Sequence, residues 1–111
     1  MSRVFVVQQT MMKDRRTGLL SPRFDMTPAE EYGDIICLLT PNAKPFNPDP
    51  ILEELHEKLT DFNDDDYLLC AGSPILIGWA TAIAAHYNHG HVSMLQWNGH
   101  EKQYAVVRAA L

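Results

Sequence analysis

The chain has 111 residues, of which 46% are hydrophobic and 21% are charged. This length suits one folded domain, because two half-sized pieces would each bury too little apolar surface to fold alone. Fourteen acidic and nine basic residues give a formal net charge of -5, which repels a nucleic-acid backbone at long range. Nucleic acid is therefore not the favoured partner, and we expect a single α/β domain over residues 1–111.

The cysteines and the apolar stretches bear on cellular location. Cys37 and Cys70 lie within apolar runs and lack the CxxC spacing of metal sites, so we expect buried, reduced thiols, which favour the cytoplasm. No apolar leader ending in small residues follows Met1. The longest apolar stretch, residues 75–85, is shorter than the roughly 20 residues that cross a bilayer. We expect a cytoplasmic protein with no membrane partner.

Three continuous runs of β-branched, aromatic and leucine residues predict buried strands of a mainly parallel sheet. They cover residues 3–8, 34–40 and 67–71, and the first two strands are expected to be central. Between these two, residues 9–26 lose all periodicity. That segment is expected to form a long excursion or an exposed hairpin.

Two helices are expected, one before and one after the predicted strand over residues 34–40. Thr27, followed by proline and by Glu30, predicts a capping box at the start of a short helix that Gly33 can end. Asp49 is expected to cap a longer helix that begins at Pro50, since apolar residues then recur at helical spacing.

The last part of the chain predicts a third helix and a hairpin. Ser73 is expected to cap a helix over Pro74–Tyr87. Residues 91–97 and 103–108 predict two strands joined by a tight turn at Asn98 and the following glycine, so the last strand is antiparallel. The element order predicts an α/β layered sandwich with a mainly parallel sheet of about five strands and a C-terminal antiparallel hairpin.

The turn after the third strand is the first candidate site. Gly72 and Ser73 lie between the carboxyl end of a strand and the start of a helix, where open parallel sheets bind ligands. Together with Tyr32 and Gly33 they form a candidate small-ligand or nucleotide site. The turn has neither the GxGxxG nor the phosphate-loop pattern, and helix capping is the competing explanation for Ser73.

The basic residues of the segment 9–26 are a second candidate. They are Lys13, Arg15, Arg16 and Arg23, and they could contact phosphate or an acidic protein surface. A solvated loop is the competing interpretation, because Asp14 and Asp25 dilute the positive charge.

Catalytic and metal sites find little support. The histidines at positions 86, 89, 91 and 100 lack the HExxH spacing and have no interleaved carboxylates. No serine or cysteine lies in a nucleophile motif with a base and a group that orients it. We therefore predict no catalytic residue, no metal and no cofactor.

The helix over Pro74–Tyr87 is apolar around nearly its whole circumference, which predicts an interface. Ile75, Trp79 and Ile83 are the candidate contacts of a homodimer, the commonest symmetric assembly. The alternative is that Phe24 and the other apolar residues of the segment 11–26 fold over this helix as a lid.

Several short stretches resemble a family of small α/β proteins encoded by phages and mobile elements. They are residues 25–33, 65–69 and 90–92, together with Trp97 and Tyr104. The resemblance implies an origin and supplies no catalytic residues. The leading interpretation is a non-enzymatic accessory protein that binds another macromolecule, with a protein favoured as partner. The alternatives are small-ligand or nucleotide binding at the strand-to-helix turn, and single-stranded nucleic-acid binding through the basic segment.

Overall fold

A computed structural model describes residues 2–23 and 25–111. In chain order its elements are β1 (Arg3–Gln8), β2 (Met11–Lys13), β3 (Leu20–Pro22), a 3-10 helix (Thr27–Tyr32), β4 (Asp34–Leu39), α1 (Pro48–Leu59), β5 (Tyr67–Leu69), α2 (Pro74–Tyr87), β6 (His91–Asn98) and β7 (Gln103–Ala110). The alternation of strands and helices confirms the predicted α/β class. The bounds of α2 are those that the sequence predicts.

Five strands form the main sheet in the order β4-β1-β5-β6-β7. Neighbouring strands from β4 to β6 pair in parallel, whereas β6 and β7 pair antiparallel, with His91 opposite Ala110 and Asn98 opposite Gln103. The mainly parallel sheet and the C-terminal antiparallel hairpin are thus confirmed. The connection between β6 and β7 spans residues 99–102 and replaces the predicted tight turn.

The strand β4 lies at an edge of the sheet, so the expectation that it is central is wrong. Its apolar run buries Leu38 and Leu39 but leaves Ile35 and Ile36 only half-buried. Cys37 is exposed and its thiol is free, which corrects the prediction that both thiols are buried. A continuous apolar run reports contact on the two faces of a strand and does not reveal whether a neighbour lies beside it.

The two faces of the sheet are covered differently. Both α-helices pack on one face, where their buried side chains join those of the strands in the larger core cluster: Phe5, Val7, Leu38, Ile51, Leu55, Leu59, Leu68, Leu76, Ala80 and Ala84. On the other face the 3-10 helix supplies Ala29 and Tyr32, which pack over Val4, Val6 and Leu69. One short helix covers less of a sheet than two long ones, and this second face is where a pocket opens.

The predicted side-chain caps at Thr27, Asp49 and Ser73 are not formed. The helix α1 begins at Pro48, so Asp49 lies inside its first turn. Asp25 accepts a hydrogen bond from the main-chain N–H of Thr27 at 2.9 Å, ahead of the 3-10 helix. Each of the three helices has proline in its first turn, which fixes φ and removes one N–H that a cap would otherwise satisfy.

Within the segment 9–26, residues 11–22 form a hairpin, the second of the two predicted alternatives. β2 and β3 pair antiparallel in a separate two-stranded sheet. Met12, Leu19 and Leu20 are 54%, 68% and 66% exposed, so these side chains do not cover α2. The predicted lid contact of Phe24 lies outside the described residues.

The helix α2 is less available than its apolar sequence implies, because the sheet covers one side of it and α1 packs against another. Ile83 is 7% exposed and belongs to the core, and Trp79 is half-buried against the same cluster. Ile75, at 52% exposed, is the one predicted interface residue that faces mainly outward. No helix in the described part of the chain is long and apolar enough to span a membrane.

Candidate ligand-binding site

A pocket of about 750 Å³ opens at the carboxyl ends of β5 and β6. Sites for small molecules have volumes of roughly 300 to 1,000 Å³, so this pocket has room for one. Its walls come from three parts of the chain: the segment before the 3-10 helix, the end of β5 with the turn after it, and the β6–β7 hairpin. Residues distant in sequence thus meet at the thinly covered face of the sheet.

The β6–β7 hairpin supplies an aromatic wall. Trp97 lies opposite Tyr104 in the strand register, and the two rings are edge to face with centroids 5.0 Å apart. Trp97 is 42% exposed, whereas Tyr104 is buried and its hydroxyl donates to the Met26 sulfur at 3.8 Å. Burial, and then the charge of Asp25, raises the pKa of Tyr104, so the phenol is neutral at neutral pH. Because Trp97 is partly exposed and lines the pocket, its indole is available for stacking against a flat group.

Charged side chains flank this wall. Arg23 and Lys102 line the pocket as cations, and Asp25 lines it as an anion. Hydrogen bonds from Thr27, first from its side chain and then from its main chain, lower the pKa of Asp25. The pocket therefore combines two positive groups with one carboxylate that remains ionised at neutral pH.

The end of β5 contributes a thiol and main-chain groups. The N–H of Cys70 donates to the Leu95 carbonyl at 3.1 Å, and burial raises the pKa of the Cys70 thiol. Gly72 has φ of +112°, and a Cβ there would lie 2.6 Å from the Cβ of Gln8. The turn thus requires glycine both for its conformation and for the close approach of β1.

Sequence reasoning missed Gln8, which organises this edge of the sheet. The side chain is 6% exposed, and its Nε2 donates to the carbonyls of Thr40 at 3.1 Å and Ala43 at 2.7 Å. Its Oε1 accepts from the N–H of Ser73 at 3.3 Å. A polar residue at the end of an apolar strand was the available signal. Gln8 ties the loop after β4 to the turn after β5 and fills the gap between them.

The four predicted ligand residues do not share one site. Gly72 lines the pocket, whereas Ser73 does not, and its amide is bonded to Gln8. Gly33 lies at the opposite, amino edge of the sheet, where a Cβ would collide with the carbonyl of Ser2. The hydroxyl of Tyr32 donates to the main-chain carbonyl of Tyr104 at 3.3 Å, beneath the pocket.

The predicted basic patch is divided in the same way. Arg23 lines the pocket, whereas Lys13, Arg15 and Arg16 lie on the exposed hairpin outside it. The carboxylate of Asp14 accepts from the N–H of Arg16 at 2.7 Å and so stabilises the hairpin turn. Only one member of the patch is thus placed to act with the aromatic wall.

The acidic residues before β5 include one with a structural role. Asp66 is fully buried and accepts from Arg3 at Nε, 3.0 Å, and at Nη2, 2.7 Å. The hydrogen bond with Asp66, ahead of that with Asp61, raises the pKa of the Arg3 guanidinium. Among the described residues no group of three histidine, cysteine, aspartate or glutamate side chains could hold a metal ion.

Comparison with known proteins places the chain in a family. Neither the curated proteins nor the solved structures gave a match. A family model described as Phage Pam3 gp32-like protein matches residues 2–111, which is nearly the whole chain. This match confirms the resemblance to a phage-encoded family, and the chain belongs to the Phage Pam3 gp32-like protein family.

Proposed function

We propose that this phage protein acts by binding, and that the pocket takes a ligand with a flat aromatic group and an anionic group, as a nucleotide has. The observation that carries the proposal is an exposed Trp97 flanked by the cations Arg23 and Lys102 in a pocket of about 750 Å³. A base stacked on an aromatic side chain contributes about 1 to 3 kcal/mol. Arginine and lysine recognise phosphate through charge-assisted hydrogen bonds.

The ionisation states in the pocket favour binding over catalysis. The raised pKa of Cys70 keeps its thiol protonated, and the lowered pKa of Asp25 keeps its carboxylate charged. A general acid or base works best with a pKa near the working pH, and a thiol attacks as thiolate. Both pKa values are displaced away from neutrality, so Asp25 suits hydrogen bonding to a ligand amino or hydroxyl group.

A free nucleotide and an unpaired nucleotide of a single strand share this chemistry. The net charge of -5 opposes a long polyanion, and three of the four hairpin cations lie outside the pocket. The proposal therefore favours the free nucleotide in the cytoplasm of the host cell. Calorimetry with nucleoside monophosphates and triphosphates, beside a short oligonucleotide at low and moderate salt, separates the two sources.

Lys102→Gln tests the role of the pocket cations. It should weaken nucleotide binding about tenfold, since a lost charge-assisted contact of about 1.4 kcal/mol corresponds to that factor. Lys44→Gln, an exposed lysine outside the pocket, is the matched control and should bind as the unmodified protein does. Bound ligand should also slow alkylation of Cys70. Equal weakening by both variants, or no nucleotide binding at millimolar concentration, would contradict the proposal.

A second candidate function is the binding of a partner protein through the β2–β3 hairpin. Met12, Leu19 and Leu20 are all more than half exposed beside basic residues, and clustered exposed apolar side chains mark interaction surfaces. A Leu19→Ser/Leu20→Ser double variant should lose a partner recovered from host lysate by cross-linking. Phe46→Ser, at an 88% exposed position on another loop, should retain it. Loss with both variants would indicate nonspecific apolar capture.

A further inference from the structure

The last strand leaves one edge of the sheet open. β7 pairs with β6, and no other strand among the described residues pairs with its outer side. The N–H of Leu111 donates to the carbonyl of Gly90 at 2.6 Å. This bond shows that the odd-numbered residues at this end of the chain direct their main-chain groups toward β6. Since bonded and non-bonded pairs alternate, the even-numbered residues of β7 direct their main-chain N–H and C=O groups outward. The carbonyl of Tyr104 is taken by Tyr32, so the free groups begin at Val106.

The two edges of the sheet are protected to different degrees. At β4 the ammonium of Lys58 donates to the carbonyl of Leu38 at 2.7 Å, which places a charged side chain against this strand. β7 has eight residues in unbroken register, with no proline, lysine or acidic residue. Natural edges are usually blocked by such residues or by bulges. Its one charge, Arg108, is drawn over its own sheet, where Nη1 donates to the Ser93 hydroxyl at 2.7 Å.

We propose that β7 pairs antiparallel with β7 of a second copy of the chain, about a two-fold axis at Val107. In this register Val106 faces Arg108 of the partner subunit, and both residues direct their main-chain groups toward each other. Val107, 50% exposed in one chain, then lies opposite Val107 of the partner subunit, while Val106, 38% exposed, lies on the other face of the sheet. The proposal does not depend on ligand binding in the pocket.

Charge and symmetry favour a second copy over an unrelated strand. A two-fold axis at Arg108 would set two guanidinium groups opposite each other, which is destabilising. An axis at Val107 avoids that contact, and the symmetry forms each hydrogen bond between the two strands a second time. None of the 14 acidic residues lies in Gln103–Ala110, so the repulsion between two chains of charge -5 is not concentrated at the edge. The exposed β7 edge thereby replaces α2 as the candidate homodimer contact.

Light scattering on the size-exclusion column tests the assembly. The full chain should have twice the mass of 12.6 kDa at micromolar concentration. Val107→Lys should give the monomer mass with an unchanged circular dichroism spectrum, because two ammonium groups would meet at the axis. Ile75→Lys, at the exposed position on α2, should remain dimeric. A monomeric unmodified chain, or dissociation by Ile75→Lys alone, would overturn the proposal.

A disulfide test covers the case in which Val107→Lys fails to fold. Val107→Cys in a Cys37→Ser background should form an interchain disulfide under mild oxidation, since non-bonded antiparallel pairs have Cβ atoms about 4.5 to 5.5 Å apart and little movement closes the bond. Ala105→Cys in the same background should not, because position 105 faces position 109 and its two thiols would lie about 13 Å apart. Equal cross-linking at both positions would contradict the register, and none at either would contradict the pairing.

Discussion

Removal of the Asp66 carboxylate tests whether a buried ion pair holds the amino edge of the sheet. Asp66 is fully buried and accepts from Nε of Arg3 at 3.0 Å, from Nη2 at 2.7 Å, and from the N–H of Asn63 at 3.0 Å. Asp66→Ala removes all three contacts. Loss of one partner from a buried pair costs about 3 to 5 kcal/mol. We expect about 3 kcal/mol, because Arg3 keeps a contact with Asp61 at 3.2 Å and is partly hydrated.

The free energy of unfolding, measured by urea denaturation with circular dichroism, gives the loss directly. Asp65→Ala is the matched control, because Asp65 is exposed and its carboxylate makes no hydrogen bond among the described residues; its effect should stay within about 0.5 kcal/mol. Asp66→Asn keeps one acceptor oxygen, so its loss of unfolding free energy should lie between those of Asp66→Ala and Asp65→Ala. If Asp66→Ala costs no more than the Asp65 control, the ion pair is not the element that stabilises this edge.

Three further predictions concern the carboxyl edge and the core. Gln8→Ala should cost about 1 to 3 kcal/mol in urea unfolding, because buried main-chain groups lose their partners; Gln8→Glu should cost at least as much, because its carboxylate can accept from the N–H of Ser73 but cannot donate to the carbonyls of Thr40 and Ala43. Leu69→Ala should cost about 2 to 5 kcal/mol, and a loss under about 1 kcal/mol would contradict its 2% exposure. A thiol reagent at mildly alkaline pH should modify Cys37 rapidly and Cys70 slowly, and Cys37→Ser should abolish the fast phase. Because burial raises the pKa of Cys70, its contribution to stability is present below the unfolded value of about 8.5 and is lost as the pH rises.

The sequence predicts those elements that depend on local signals. Pro74 marks the first residue of α2, whose predicted bounds match the structure. The unbroken apolar runs predict β1 and β5, and the turn signal at Asn98 and Gly99 predicts the antiparallel hairpin. Predicting these features does not require the strand order, because each depends on the residues within one short segment.

Features that depend on distant neighbours could not be predicted in this way. The edge position of β4 follows from the order in which strands pair, and an apolar run reads alike in central and edge strands. Burial of Asp66 depends on Arg3, which lies 63 residues earlier in the chain. A single charged residue beside other acids gives no sign of such a partner.

The candidate site was predicted in pieces. The sequence places Gly72 in a ligand crevice and Arg23 in a basic patch, and the family resemblance includes Trp97 and Tyr104. The fold brings these residues into one pocket. Their meeting depends on where the residues after β3 and the 3-10 helix lie over the second face, and a segment without periodicity gives no indication of that position.

The position of the pocket follows from two features of the sheet. In open parallel sheets the crevice lies between two neighbouring strands whose following connections leave in opposite directions, here β1 and β5. The side chain of Gln8 fills that gap with hydrogen bonds to both flanking loops. The antiparallel direction of β7 then decides which of its residues lie beside the carboxyl end of β6. A fifth parallel strand would bring its carboxyl end to this edge, whereas an antiparallel one brings its first residues. Lys102 and Tyr104 therefore stand beside Trp97, and the edge gains an aromatic and cationic wall that a wholly parallel sheet would lack.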